Sequence, residues 1–124
     1  MSPNRWEKIL DERDWLLADG ATGTNYFAMG LQSGDSPELW NVDHPERVAS
    51  LHRQFVESGA DIILTNSFGG SAYRLKLHQA ESRVSELNSA AAQIARGVAC
   101  AILSHSRIHT HLCAWIGQAA GVCG

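Results

Sequence analysis

Long hydrophobic runs are missing from this 124-residue sequence. No apolar stretch approaches the roughly 20 residues that a membrane-spanning helix needs. The opening segment, Met1 to Lys8, carries charged residues where a secretory signal peptide has its hydrophobic region. These absences predict a cytoplasmic protein with no membrane partner.

Cysteine is scarce, and charge of one sign is nowhere concentrated. The three cysteines, Cys100, Cys113 and Cys123, are an odd number confined to the last quarter of the chain. Such an arrangement does not resemble a secreted disulfide scaffold, so we expect reduced thiols. Ten basic and thirteen acidic residues give a formal charge of -3, and the basic residues form no run. Nucleic acid is therefore not predicted as a partner.

What the sequence does contain is the composition of a globular domain, 44% hydrophobic and 19% charged residues. Apolar residues recur at helical spacing in Pro3 to Arg13, around Tyr26 to Gly30 and from Pro45 to Gly59. Residues 31–44 are rich in turn formers and predict irregular structure. A longer helix is predicted from Ser82, with one apolar stripe formed by Val84, Leu87, Ala91, Ile94, Val98 and Ile102.

Two short apolar runs predict buried strands, Trp15 to Ala18 and Ala60 to Thr65. Helices separate them, and the connections are too long for hairpins, so the strands are expected to be parallel and the fold class α/β. Two such units fit a doubly wound sheet and a (β/α)8 barrel equally well. A barrel needs about 250 residues, so this chain would hold less than half of one.

Polar residues stand at the carboxyl ends of both predicted strands, where α/β proteins bind ligands. Asp19 and Gly20 follow the first strand, and residues 65–67 follow the second. Asp19 is a candidate partner for a substrate ammonium, Asn66 for a polar group, and Phe68 for excluding water. The plainer interpretation is that Asp-Gly makes a turn and Asn-Ser caps a loop. A phosphate-loop interpretation of Gly20 to Thr24 lacks the P-loop lysine and the dinucleotide fingerprint.

Three motifs give the sequence a family resemblance. They are Leu17-Ala-Asp-Gly-Ala-Thr-Gly-Thr24, Glu38-Leu-Trp-Asn41 before His44-Pro45, and Ser58-Gly-Ala-Asp-Ile-Ile-Leu-Thr-Asn-Ser-Phe68. In this order and spacing they resemble the start of the homocysteine S-methyltransferase family, which includes betaine-homocysteine methyltransferases and the first module of cobalamin-dependent methionine synthase. The resemblance runs from about Trp15 to about Ala99.

The resemblance implies the amino-terminal part of a (β/α)8 barrel that binds homocysteine and holds zinc through three cysteine thiolates. Zinc lowers the pKa of the substrate thiol, and a methyl donor such as betaine or another methylated compound then yields methionine. Carried over by position, Asp19 and Gly20 would contact the amino-acid end of homocysteine. Thr65, Asn66 and Phe68 would line the pocket near the sulfur or the donor.

Two departures from the family pattern bear on activity. Animal enzymes that use betaine carry an aromatic residue after the matching phenylalanine, whereas this chain has Gly69, so an aromatic cage for a quaternary ammonium is not supported there. The family's zinc cysteines lie late in the barrel, and no adjacent cysteine pair occurs here. The chain alone is therefore expected to be inactive.

The segment from residue 100 to residue 124 is predicted to be a divergent tail. His109, His111 and Cys113 alternate along it and could bind zinc if it formed a strand. The favoured hypothesis is a frameshift, because a one-base shift at Trp115-Ile116-Gly117 restores codons for the family turn Gly-Ser-Val. Three functions thus stay open: a methyltransferase fragment, a non-catalytic fragment that self-associates through exposed edges, and a small metal-binding protein.

Overall fold

The computed structural model describes residues 5–105, with side chains described for residues 7–102. Within this range the chain forms α-helices and short 3-10 helices in a fixed order. The α-helices are α1 (Arg5–Arg13), α2 (Gly23–Ala28), α3 (Trp40–Asp43), α4 (Pro45–Glu57), α5 (Ala72–Leu75) and α6 (Val84–His105). The 3-10 helices are Pro37–Leu39, Lys76–His78 and Glu81–Arg83.

The predicted helices are confirmed where the periodicity was strongest. Helix α4 begins at Pro45, whose fixed φ suits the first helical position. It ends before Gly59, which has a φ of +107° as a left-handed cap requires. Helix α6 begins at Val84 and carries the predicted apolar stripe. None of the helices between residues 5 and 105 has the length and hydropathy of a membrane span.

The prediction of irregular structure across residues 31–44 is wrong in its second half. A 3-10 helix at Pro37–Leu39 leads directly into α3. Trp40 is buried there, and its ring meets the ring of Tyr26 edge to face at a centroid distance of 5.5 Å. Packing of this large side chain therefore overrides the local turn preference of the segment.

The two predicted strands are wrong as regular strands. Within residues 5–105 the structure contains one isolated parallel bridge, between Ala18 and Ile62. The amide of Ile62 donates to Leu17 O at 3.1 Å, and the amide of Asp19 donates to Ile62 O at 2.8 Å. The predicted parallel direction thus holds at this bridge, but the described residues show no extended sheet. Leu17 and Leu64 are each 46% exposed, so the segments are not buried on both faces.

Two aspartate side chains explain why the pairing stops after one bridge. Extension of a parallel ladder requires Leu17 N–H and Leu64 N–H to donate to backbone carbonyls of the opposite segment. Instead, Leu17 N–H donates to the Asp61 carboxylate at 2.9 Å, and Leu64 N–H donates to the Asp19 carboxylate at 3.0 Å. Each carboxylate takes the place of the next backbone acceptor, and both donors remain satisfied.

The core lies mainly between α4 and α6. Buried residues of α4 face small buried residues of α6, and Phe55 contacts two of the core clusters. The small side chains of Ala91 and Ala95 are buried on α6, which allows α4 to approach closely. This packing supports the bridged segments.

Candidate functional site

The two polar ends predicted from sequence lie side by side. The Asp19 carboxylate accepts the amide hydrogen of Leu64, the residue immediately before Thr65. Because the bridge is parallel, Asp19 and Thr65 follow it in the same direction. The two predicted ends are therefore neighbours on the same side of the bridge.

Asp19 is partly buried, and its carboxylate accepts a hydrogen bond from a distant part of the backbone. Burial raises the pKa of the Asp19 carboxyl, while hydrogen bonding from the Leu64 amide and its own amide acts in the opposite direction. The Leu64 N–H donates to Oδ2 of this carboxylate at 3.0 Å. The carboxyl is thus placed to accept hydrogen bonds from a cationic group.

Gly20 lies beside the ring of Phe55 in an exposed turn. A Cβ atom built at Gly20 would lie 3.3 Å from Phe55 Cε1, so a larger residue would require the ring to shift. Its backbone is exposed, as a role in contacting a ligand requires. The structure therefore keeps Gly20 next to Asp19 in an accessible position.

Thr65 and Asn66 are buried and serve the loop itself. Thr65 Oγ1 lies 2.6 Å from Ser67 Oγ. The amide nitrogen of Asn66 donates to Pro37 O at 2.7 Å and to Asn41 Oδ1 at 3.0 Å. Both hydrogens of the Asn66 side-chain amide are therefore used inside the protein. Only the side-chain oxygen, Oδ1, could contact a ligand from this residue.

Phe68 does not cover a pocket in this conformation. Its side chain is 88% exposed, and the Arg74 guanidinium lies 5.1 Å from the centroid of its ring. Tyr73, which follows on α5, is 86% exposed. The predicted role of Phe68 in excluding water would require the loop to move.

Sequence reasoning missed the residues that hold this loop in place. The Glu38 carboxylate accepts hydrogen bonds from Ser36 Oγ at 2.7 Å and from the Gly69 amide at 2.6 Å. Asn41 donates from its amide nitrogen to Asn66 O at 2.9 Å and to Leu87 O at 3.2 Å. The Glu38-Leu-Trp-Asn41 motif thus ties the loop to α6, and no local pattern in the sequence signals these contacts.

Close packing explains the two glycines that follow Phe68. A Cβ atom at Gly69 would lie 2.9 Å from Glu38 Oε1, too near for an ordinary contact. A Cβ atom at Gly70 would overlap Asn88 Oδ1 and lie 3.1 Å from Ser67 O. A side chain at position 69, aromatic or otherwise, is therefore incompatible with this placement of Glu38.

A zinc site is not formed by the residues that the structure describes. From residue 7 to residue 102 no group of three or more His, Cys, Asp or Glu side chains could hold a metal ion. Cys100 is exposed on α6. The candidate ligands His109, His111 and Cys113 lie outside the described residues, so their metal binding stays a prediction.

The described residues share three features with α/β proteins: one parallel bridge, helical connections, and polar residues that follow the bridged segments. The sequence model of homocysteine S-methyltransferases matches residues 16–124. The chain belongs to the homocysteine S-methyltransferase family, as its motifs predicted. The match includes the segment beyond residue 99, while the tail boundary and the frameshift remain predictions.

Relatives and solved structures agree with this family. Methionine synthase of Mycobacterium tuberculosis is 32% identical over 97 residues, which are 73% of this chain and 8% of that protein. Methionine synthase of Mycobacterium leprae is 30% identical over 90 residues, 68% of this chain and 8% of that protein. The homocysteine methyltransferase MmuM of Escherichia coli is 25% identical in its oxidized form, with a TM-score of 0.77 over 90% of this chain and 39% of that one. Its metallated form gives the same TM-score over 40% of its length.

Proposed function

We propose that this chain is the homocysteine-binding, amino-terminal portion of a (β/α)8 homocysteine S-methyltransferase. The observation that carries the proposal is the Asp19 carboxylate beside the amide of Leu64, where the two polar ends meet. An amino-acid substrate brings an ammonium group, for which a partly buried carboxylate is a strong partner. The chain spans about two fifths of the matched Escherichia coli structure and 8% of each matched methionine synthase, so the proposal for this chain is restricted to substrate binding.

In this proposal Asp19 binds the substrate ammonium and the Gly20 backbone contacts the amino-acid end. Thr65 and the Asn66 carbonyl oxygen line the side that carries the sulfur. The overall reaction is methyl transfer from a small methylated donor, betaine being one candidate, to the homocysteine sulfur to form methionine. The described residues form no ligand set for zinc, so their part is substrate binding, and the chain alone is expected not to turn over.

Calorimetric titration of the chain with L-homocysteine under reducing conditions tests the proposal. Asp19→Asn keeps an oxygen that can accept the Leu64 amide but removes the negative charge, and is expected to weaken binding about tenfold or more. Asp11→Asn is the matched control, because Asp11 is exposed on α1. Absence of binding by the wild-type chain, or equal binding by both variants, would refute the proposal.

A second candidate function is a non-catalytic fragment that self-associates. Trp15 is 54% exposed, and Leu17 and Leu64 are each 46% exposed along the bridged segments. Sedimentation velocity would then show concentration-dependent dimers that Leu17→Ser weakens. A monomer over the full concentration range would exclude this candidate.

A further inference from the structure

The loop after the second bridged segment is held at two points by one short 3-10 helix. The side chain of Asn66 donates to Pro37 O at 2.7 Å, and the amide of Gly69 donates to the Glu38 carboxylate at 2.6 Å. Pro37 and Glu38 are neighbours in that helix. Phe68 lies between the two points and is 88% exposed. Its ring therefore projects from a backbone that is fixed on both sides.

Glu38 is a buried acid whose two oxygens are both used by the protein. Ser36 Oγ donates to Oε2 at 2.7 Å, and Gly69 N–H donates to Oε1 at 2.6 Å. Glu38 is 4% exposed, and none of the ion pairs found among residues 7–102 includes it. Burial of a carboxylate without a cationic partner opposes folding. Overall stability therefore does not explain why an acid stands here, whereas a role in shaping the loop offers a reason.

Close packing leaves the end of the loop little freedom. A Cβ atom at Gly69 would lie 2.9 Å from Glu38 Oε1, so the backbone approaches the carboxylate as closely as only glycine permits. One residue later, the side chain of Asn88 on α6 donates to Gly70 O at 2.9 Å. The loop end is thus hydrogen-bonded to both Glu38 and α6, and its shape is set before any ligand binds.

We propose that Glu38 is a positioning residue for the homocysteine site, which keeps residues 65–68 in their binding conformation before the substrate arrives. The inference rests on the proposed function and extends it to a residue that acts through others. Since both oxygens of Glu38 accept hydrogen bonds from the protein, Glu38 does not contact the substrate itself. It acts through the Gly69 backbone, which fixes the chain directly after Phe68. An ordered loop loses less conformational entropy on binding than a mobile one, so this contact raises the affinity for homocysteine.

Two substitutions separate the reach of the Glu38 side chain from its charge. Glu38→Gln keeps the reach, because its oxygen can accept the Gly69 amide hydrogen and its nitrogen can donate to Ser36 Oγ. Glu38→Asp keeps the charge but is one methylene too short. Gly69→Ala disturbs the same contact from the side of the loop. Val98→Ala is the stability control, because it removes volume from the core between α4 and α6.

Each protein is titrated calorimetrically with L-homocysteine under reducing conditions. Hydrogen exchange of the Gly69 amide, followed by NMR, reads out the contact directly, and urea unfolding gives the stability. We expect Glu38→Asp and Gly69→Ala to bind about tenfold or more weakly, and the Gly69 amide to exchange about tenfold or more faster in Glu38→Asp. Glu38→Gln should stay within about threefold of wild type in both measurements. Val98→Ala should lose stability but bind within about twofold of wild type.

Failure of the inference is distinguishable from failure of the proposed function. If the wild type binds L-homocysteine and Glu38→Asp, with a fast-exchanging Gly69 amide, binds it equally well, the inference fails while the proposed function stands. Full affinity in Glu38→Asp together with a loss in Glu38→Gln would assign the effect to negative charge and overturn the inference. A loss in Val98→Ala as large as that in Glu38→Asp would assign it to overall stability and likewise overturn it. If the wild type binds no homocysteine, the proposed function itself fails.

Discussion

Acidification is expected to destabilise this protein through one buried histidine. His52 lies on α4 with 1% of its surface exposed, and its Nε2 atom has no hydrogen-bond partner. Burial lowers the pKa of His52 from 6.5 to about 4, because the protonated ring loses its hydration. The folded state therefore holds the neutral ring, whereas the unfolded chain protonates it readily.

The sign and size of the effect follow from linkage. Between pH 6.5 and about 4 the unfolded state binds more protons than the folded state at His52. The stabilising contribution of the neutral ring is thus fully present above pH 6.5 and is lost as the pH falls towards 4. Lowering the pH from 7 to 5 should reduce the free energy of unfolding by about 2 kcal/mol, and lowering it through the whole range down to about 4 should reduce it by about 3 kcal/mol. Such losses are large against a typical total stability of about 5–15 kcal/mol.

Urea unfolding measured at half-unit steps from pH 4.5 to 7.5 checks this expectation. The histidine contribution is the difference in pH dependence between wild type and His52→Leu, in which the titrating ring is absent. His78→Gln serves as the control substitution, because it replaces a histidine that is only half-buried. An unchanged slope in His52→Leu would show that the ring is not the group that couples folding to pH.

Three further substitutions test the packing. Asp61→Ala should lower the free energy of unfolding by about 2–3 kcal/mol, because it removes a buried carboxylate that pairs with Arg13 and accepts the Leu17 amide hydrogen. Asp11→Ala, at an exposed position, should change the free energy of unfolding by no more than about 0.5 kcal/mol. Gly70→Ala should cost about 1–3 kcal/mol, because its Cβ would overlap Asn88 Oδ1. Gly97→Ala should instead stabilise α6 by about 0.5–1 kcal/mol, since its Cβ meets nothing within 4 Å. Urea denaturation measures all four, and a Gly70 variant as stable as wild type would contradict the packing argument.

The helices were predictable because their causes are local. The apolar stripe of α6, the proline that begins α4 and the glycine that closes it lie within a few residues of the structure they specify. The family motifs were readable for a similar reason, since they are contiguous. They led to Asp19 and to the loop after Ile62 as one site, and the two do lie together.

The anchoring of the site was not predictable, because its contacts join residues far apart in the chain. The Glu38 carboxylate accepts a hydrogen bond from the amide of Gly69, which lies 31 residues away in the chain. The Asn41 side chain donates to the backbone oxygen of Asn66, which lies 25 residues away. Nothing in the local pattern distinguishes a glutamate that serves as an internal acceptor from one that faces solvent.

The helices with a strong apolar period, the order of the paired segments and the family follow from sequence alone, because periodicity, capping and contiguous motifs act over short distances. How far the segments pair depends on contacts between distant residues. Asp19 and Asp61 capture backbone donors 45 and 44 residues away and so end the ladder after one bridge. That outcome depends on where two carboxylates come to lie in space, which apolar and β-branched patterns do not encode.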